Sequence, residues 1–87
     1  MFAIDYDMLI FKEGDNFISY CPELDVSSCG DSIEKAKNML RSAVRLFLEE
    51  AEKMGTLEDI LEECGYHKKD GGWESPRLVA TEFASIN

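Results

Sequence analysis

The sequence predicts an α+β fold: a three-stranded antiparallel meander followed by a long amphipathic helix, a short second helix and a C-terminal strand, in the order β-β-β-α-α-β. Two observations predict it. Short strand-like runs separated by turn residues come first, and apolar residues at helical spacing follow them. The chain has 87 residues, which is the size of one domain. We expect a core over residues 3–54, and the second helix and last strand over residues 55–87.

Turn-forming residues divide the beginning of the chain into three strands. The first runs from Ala3 to Lys12 and ends at the cluster Glu13–Asn16. The second, Phe17–Cys21, stops at Pro22, which cannot donate to a strand ladder. The third runs from Val26 to Cys29. Connections this short predict antiparallel pairing, because a parallel crossover needs roughly a dozen residues or more.

The following segment carries the signals of a long helix. Asp31 and Glu34 have the spacing of a capping box, with Asp31 as the cap. Gly55 is a natural helix stop, and Thr56 begins a shorter helix that ends at Gly65. One apolar stripe marks the face of the long helix that packs on the meander: Ile33, Ala36, Leu40, Ala43, Val44, Phe47, Leu48, Ala51 and Met54.

Two further elements are predicted after the second helix. Asp70-Gly71-Gly72 favours a tight turn and so predicts a small hairpin around it. Residues Arg77 to Ile86 contain Leu78, Val79, Thr81, Phe83 and Ile86 and predict a last strand, paired either on the same sheet or on the sheet of a neighbouring copy. Exchange of a terminal strand is a low-cost route to a dimer. Since a core this small benefits from a symmetric partner, we expect a homodimer or a higher homo-oligomer.

The charge of the chain indicates which partners it can attract. It has 18 acidic and 9 basic side chains, a formal charge of −9. Nucleic-acid binding draws its affinity from Lys and Arg, so we expect no direct binding to DNA or RNA. Residues 1–30 hold six acids and one base, whereas residues 31–54 hold five of each. The negative field therefore belongs to the strands and the second helix, and it favours a basic partner.

Two features predict a cytoplasmic protein without membrane contact. The residues from Met1 to Asp7 lack the basic leader of a signal peptide, and no run approaches the roughly 20 apolar residues of a membrane span. The cysteines Cys21, Cys29 and Cys64 are odd in number and form no disulfide framework, as expected in a reducing compartment.

The segment from Phe17 to Ala36 resembles the HicB antitoxin family. The similar features are an aromatic-rich strand, the corner Pro22-Glu23-Leu24-Asp25, a short polar strand and the helix start Gly30-Asp31-Ser32. The resemblance covers about residues 3–54 and, more loosely, Gly65-Tyr66 and Trp73 to Val79. It implies a partial RNase H-like fold, dimers or higher assemblies, and neutralisation of HicA, a small basic toxin that cleaves mRNA. In such pairs the antitoxin lies against the toxin and obstructs its catalytic histidine.

We therefore expect a binding protein, not an enzyme, that needs no cofactor and no metal. The alternative is a stand-alone HicB-fold binding or regulatory module without a toxin partner. The candidate partner contacts are acidic or amphipathic residues of the first strands and of the strand corner: Asp5, Asp7, Tyr20, Glu23, Leu24 and Asp25.

Two kinds of metal site, a two-metal nuclease site and a zinc site, are alternatives that the sequence also offers. Asp5 and Asp7 are two residues apart on the first strand, so both carboxylates point to one face. A two-metal nuclease needs several converging acids, but solvated strand positions produce the same pattern. A zinc site would combine His67 with three cysteines, Cys21, Cys29 and Cys64. The seven-residue gap between Cys21 and Cys29 does not suit a zinc knuckle, and free cysteine commonly behaves as a small buried hydrophobe.

Overall fold

The computed structural model describes residues 3–87. The expectation that the first residues are not a signal peptide involves Met1 and Phe2, which lie outside the described residues. The predicted α+β order is confirmed: three antiparallel strands precede a long helix, a short helix and a further strand pair. The elements are β1 (Leu9–Glu13), β2 (Asn16–Cys21), β3 (Val26–Gly30), α1 (Ile33–Lys53), α2 (Leu57–Glu63), β4 (His67–Lys69) and β5 (Gly72–Glu74). Within residues 3–87, no helix is long and apolar enough to cross a membrane.

The meander has the spatial order β1-β2-β3, with antiparallel pairing at both interfaces. Gly14 has a φ of 62° at the first position of the two-residue turn between β1 and β2, a conformation that a Cβ disfavours. Successive side chains of a strand point to opposite faces of the sheet. On β2, Ser19 and Cys21 therefore share one face, and Ile18 and Tyr20 share the other.

Helix α1 covers the sheet face that carries Ser19 and Cys21, both of which are fully buried. It packs through the middle of the predicted apolar stripe: Ala36, Leu40, Val44, Leu48 and Ala51. Its two ends, Ile33 and Met54, are exposed. Gly30 permits the close approach of helix and sheet, because an added Cβ would lie 2.7 Å from the backbone nitrogen of Ala36.

The helix ends follow local capping chemistry. The predicted cap Asp31 is wrong by one residue: Ser32 is the N-cap, and its side chain accepts a 3.0 Å hydrogen bond from the backbone N–H of Lys35. Ser32 is in extended conformation, which lets its short hydroxyl face the free N–H groups of the first turn. The predicted stop is confirmed, since Gly55 follows the C-cap of α1 with a φ of 74°.

The end of α2 directs the chain back into the core. Gly65 has a φ of 90°, and the N–H of Tyr66 donates to the carbonyl of Leu61 at 2.9 Å. This is the hydrogen bond of a Schellman motif, which commonly brings two apolar side chains together. Both Tyr66 and Leu61 belong to the buried core cluster.

The predicted hairpin is confirmed, with Asp70 and Gly71 at φ 48° and 80° in its two-residue turn. The predicted strand from Arg77 to Ile86 is not formed, because residues 75–87 have neither helix nor strand and residues 77–87 are exposed. An alternating pattern does not hold a strand without a paired neighbour. Pairing of the first strand likewise begins at Leu9, six residues later than predicted.

Candidate partner-binding surface

Residues 3–8 precede β1 and lie against the core without pairing as a strand. Ile4, Tyr6 and Met8 pack on the core cluster, so the intervening Asp5 and Asp7 point the other way, as in extended chain.

The Tyr66 hydroxyl holds residues 3–8 in place by donating a 2.7 Å hydrogen bond to the backbone carbonyl of Asp5. Burial, and then the negative charges of Glu23 and neighbouring groups, raises the pKa of Tyr66, which keeps it a donor.

Glu23 fixes the other side of the segment at the corner after β2. The backbone N–H of Asp7 donates to its two carboxylate oxygens, at 3.1 and 3.2 Å. The Cys21 thiol lies 3.5 Å from the same carboxylate. Burial raises the pKa of Glu23, and burial also raises the pKa of the Cys21 thiol to about 11. Glu23 is therefore a structural acceptor as well as a negative charge.

The N-terminal segment and the β4–β5 hairpin enclose an open groove of about 660 Å³. Its acidic lining residues are Asp5, Asp7, Asp70 and Glu74, and its basic ones are Lys69 and Arg77. We call this the acidic groove. Lys69 lies 3.6 Å from the Glu74 carboxylate, so these two charges offset each other. The remaining lining charges are predominantly negative, which suits a cationic ligand.

The sheet face opposite α1 carries exposed and half-buried apolar side chains. Leu9 lies opposite Tyr20, Phe11 lies opposite Ile18, and Ile18 in turn lies opposite Cys29 on β3. Phe11 is 55% exposed. We call these five residues the outer sheet face. Its members form adjacent cross-strand pairs, so it is a contiguous patch and not a set of scattered side chains.

Acidic groups border the outer sheet face at the strand corner and toward the acidic groove. The Tyr20 hydroxyl donates a 2.9 Å hydrogen bond to Asp25, which occupies the corner with a φ of 56°. That hydrogen bond raises the pKa of Tyr20. Asp5 and Asp7 are an even number of residues from Leu9, so they continue the same side of the chain. The result is one surface with an apolar part and an acidic end.

The structure brings most of the predicted contact residues together. Asp5 and Asp7 line the same groove, the Asp7 N–H donates to Glu23, and the Tyr20 hydroxyl donates to Asp25. Leu24 is 4% exposed and lies in the hydrophobic core, so its side chain is not available to a partner.

Sequence reasoning missed four residues of the outer sheet face, Leu9, Phe11, Ile18 and Cys29, and two acids of the groove, Asp70 and Glu74. A signal for the first two exists, because the consecutive apolar residues Leu9-Ile10-Phe11 place apolar side chains on both faces of the strand. Asp70 and Glu74 reach the surface through the hairpin, whose position depends on the packing of Tyr66 and Trp73 on the core.

The residues considered as metal ligands are not assembled. Within residues 3–87, no group of three or more His, Cys, Asp or Glu side chains is placed to hold a metal ion. Cys21 is buried, Cys29 is exposed and Cys64 is half-buried, so the cysteines lie in three different environments.

Comparisons of the chain with models of protein families, with curated proteins and with solved structures found no match.

Proposed function

We propose that this protein binds a small basic protein, and that it acts as a HicB-like antitoxin that neutralises a HicA-type mRNA-cleaving toxin. The observation that carries the proposal is the continuity of the acidic groove with the outer sheet face, since Asp5 and Asp7 of the groove continue the side of the chain that carries Leu9. The resemblance of Phe17 to Ala36 to the HicB family supplies the identity of the partner.

The two parts of the surface serve different steps of binding. An apolar patch edged by polar groups is typical of protein interfaces, in which buried aromatic and aliphatic side chains provide most of the affinity. Phe11, Ile18 and Tyr20 supply that patch. The acidic groove attracts a basic partner and accelerates encounter at low salt. Because Glu23 and Tyr66 already fix the segment that carries Asp5 and Asp7, little ordering is needed on binding.

Inhibition follows from occupancy. An RNA-cleaving protein holds phosphates with lysine and arginine side chains, and the same side chains are attracted to the carboxylates of the acidic groove. Bound antitoxin and bound RNA would then exclude each other, and this chain would change no covalent bond.

The test is a calorimetric titration against a small basic toxin of the HicA type, with RNA cleavage measured in parallel. We expect a complex that weakens with salt and a loss of cleavage when the two proteins are equimolar. Reversing two groove charges, Asp5→Lys with Asp7→Lys, should raise the dissociation constant by about tenfold or more. Glu34→Lys with Glu50→Lys on α1 changes the net charge equally, and this control should stay within about threefold of wild type.

Each other result points to a different function. No complex and no effect on cleavage would contradict the proposal, and so would equal weakening by both pairs of substitutions, since affinity would then follow net charge alone. A complex that leaves cleavage intact would favour a stand-alone binding module. Metal-stimulated RNA cleavage by the purified chain, abolished by Asp5→Asn, would favour a nuclease.

A further inference from the structure

Residues 77–87, here called the tail, have the composition of a strand but lie exposed. Val79 is 86% exposed, and Phe83 and Ile86 are almost completely exposed. Within it, Val79, Thr81 and Phe83 alternate with the small or polar residues Ala80, Glu82 and Ala84. Large apolar side chains grouped in one exposed segment mark an interaction site.

The chain also has an unpaired strand edge. β1 pairs with β2 through Leu9, Phe11 and Glu13, because Glu13 and Asn16 flank the two-residue turn and form its hydrogen-bonded pair. The Asp5 carbonyl and the Asp7 N–H face the same side, where they bond to Tyr66 and Glu23. By alternation, the backbone groups of the residues between them face away from β2: Ile4, Tyr6, Met8, Ile10 and Lys12. We call this side of residues 3–13 the outer edge.

A groove of about 500 Å³ adjoins the outer edge, beneath α1. Its apolar lining residues are Ile4, Tyr6, Val44 and Leu48, and its charged ones are Arg41, Arg45, Glu49 and Glu52. A strand added at the outer edge would direct every second side chain into this groove, as an additional strand in a sheet packed on a helix does.

Charge indicates what kind of chain fits there. Two arginines and two glutamates line the groove, so its charges offset each other. The tail carries one base, Arg77, and one acid, Glu82, and is also neutral. Two chains of net charge −9 repel each other over most of their surfaces. The tail and this groove are regions where two copies can meet without opposing like charges.

The tail leaves the fold on the side opposite the outer edge. Pro76, Arg77 and Leu78 line a small cavity together with Pro22 and Glu23, at the corner that faces the inner side of residues 3–8. To reach its own outer edge, the tail would have to cross that segment. A second copy presents the same edge without this crossing.

We propose that the protein forms a symmetric homodimer in which the tail of each chain adds as a strand to the outer edge of the other, with Val79 and Phe83 against the groove beneath α1. Its anchoring residues Val79 and Phe83 do not line the acidic groove, and the proposal does not depend on the proposed antitoxin function. The interface pairs backbone groups of the outer edge and covers the exposed apolar residues of the tail. In a monomer, both features promote aggregation.

The test combines mass measurement with amide hydrogen exchange on the full chain. Sedimentation should give twice the chain mass of 9.9 kDa, and both Val79→Asp with Phe83→Asp and a chain ending at Pro76 should be monomeric. Met39→Asp with Leu46→Asp is the matched control: it adds the same charge at exposed apolar positions of α1 and should leave the dimer intact.

Hydrogen exchange locates the docking edge. The amides of Tyr6, Met8 and Ile10 should be protected in the wild-type dimer and should lose that protection in the chain ending at Pro76. The amides of Leu9 and Phe11, which pair with β2, should stay protected in both and so report that the shortened chain is folded. Three results would each overturn the proposal. The wild-type chain could be monomeric, the dimer could survive loss of the tail, or the tail could protect amides of β3 instead of those of the outer edge.

Discussion

The two faces of strand β2 differ in what lies on them. Ser19 and Cys21 point toward α1 and are fully buried, whereas the alternating residues Ile18 and Tyr20 point to the outer sheet face and keep part of their surface in water. Both faces carry apolar side chains, but only one is covered by the helix. The face toward α1 therefore stabilises the fold, and the outer sheet face is the candidate partner-binding surface. Substitutions on the two faces should therefore have separable effects.

The largest effect is expected on the covered face. Leu40→Ala removes a completely buried side chain of α1 and should lower the free energy of unfolding by about 2–5 kcal/mol. Leu46 lies on the same helix but is 65% exposed, so Leu46→Ala should cost less than about 1 kcal/mol. Denaturant unfolding of the two variants measures both values, and similar losses would mean that the packing described for α1 is wrong.

On the outer sheet face we expect a substitution to change partner affinity and to leave the free energy of unfolding nearly unchanged. Phe11→Ser should change the free energy of unfolding by less than about 1 kcal/mol, because Phe11 is already 55% exposed. It should raise the dissociation constant for the basic partner by about tenfold, equivalent to about 1.4 kcal/mol. Parallel unfolding and calorimetric titrations provide the two numbers. Unchanged affinity would remove Phe11 from the interface.

A smaller effect is expected at Ser19. Its hydroxyl is buried and has no hydrogen-bond partner among residues 3–87. An unsatisfied buried polar group costs free energy, so Ser19→Ala should raise the free energy of unfolding by about 1 kcal/mol. Ser27→Ala, at an exposed position of β3, should stay within about 0.5 kcal/mol of wild type. A destabilised Ser19→Ala variant would indicate that the hydroxyl is satisfied.

The smallest effect concerns the pH dependence of stability. Burial raises the folded-state pKa of Glu23 above its ordinary value of 4.5, so the folded chain holds this proton where the unfolded chain has released it. The stability from this group is therefore present below pH 4.5 and is lost as pH rises through the raised pKa. Glu23→Gln should lose less stability than wild type between pH 4.5 and 7. Parallel pH profiles for both proteins would contradict the assignment.

Much of the fold follows from local signals in the sequence. The turn at Gly14, the helix stop at Gly55 and the hairpin at Asp70-Gly71 each depend on a backbone conformation that few residues adopt, so they could be predicted. The long helix follows from its apolar spacing. The N-cap was displaced by one residue because Asp31 and Ser32 are both good caps, and local chemistry alone does not choose between them.

The candidate surface depends more on tertiary contacts. The hydrogen bond from the Tyr66 hydroxyl to the Asp5 carbonyl connects residues 61 positions apart, and no spacing rule in the sequence predicts it. Leu24 looked like a corner contact, but the turn at Asp25 directs it into the core. The tail illustrates the same limit, since its alternation predicts a strand without naming the chain that pairs with it.

The central claim is that the outer sheet face binds another protein, and Cys29 offers the most direct measurement. It is exposed on that face, whereas Cys21 is buried, and burial raises the pKa of the Cys21 thiol to about 11. In a Cys64→Ser background, alkylation should therefore report Cys29 alone. We predict that saturating basic partner slows this alkylation at least about tenfold. An unchanged alkylation rate in a complex proven to have formed would contradict the claim.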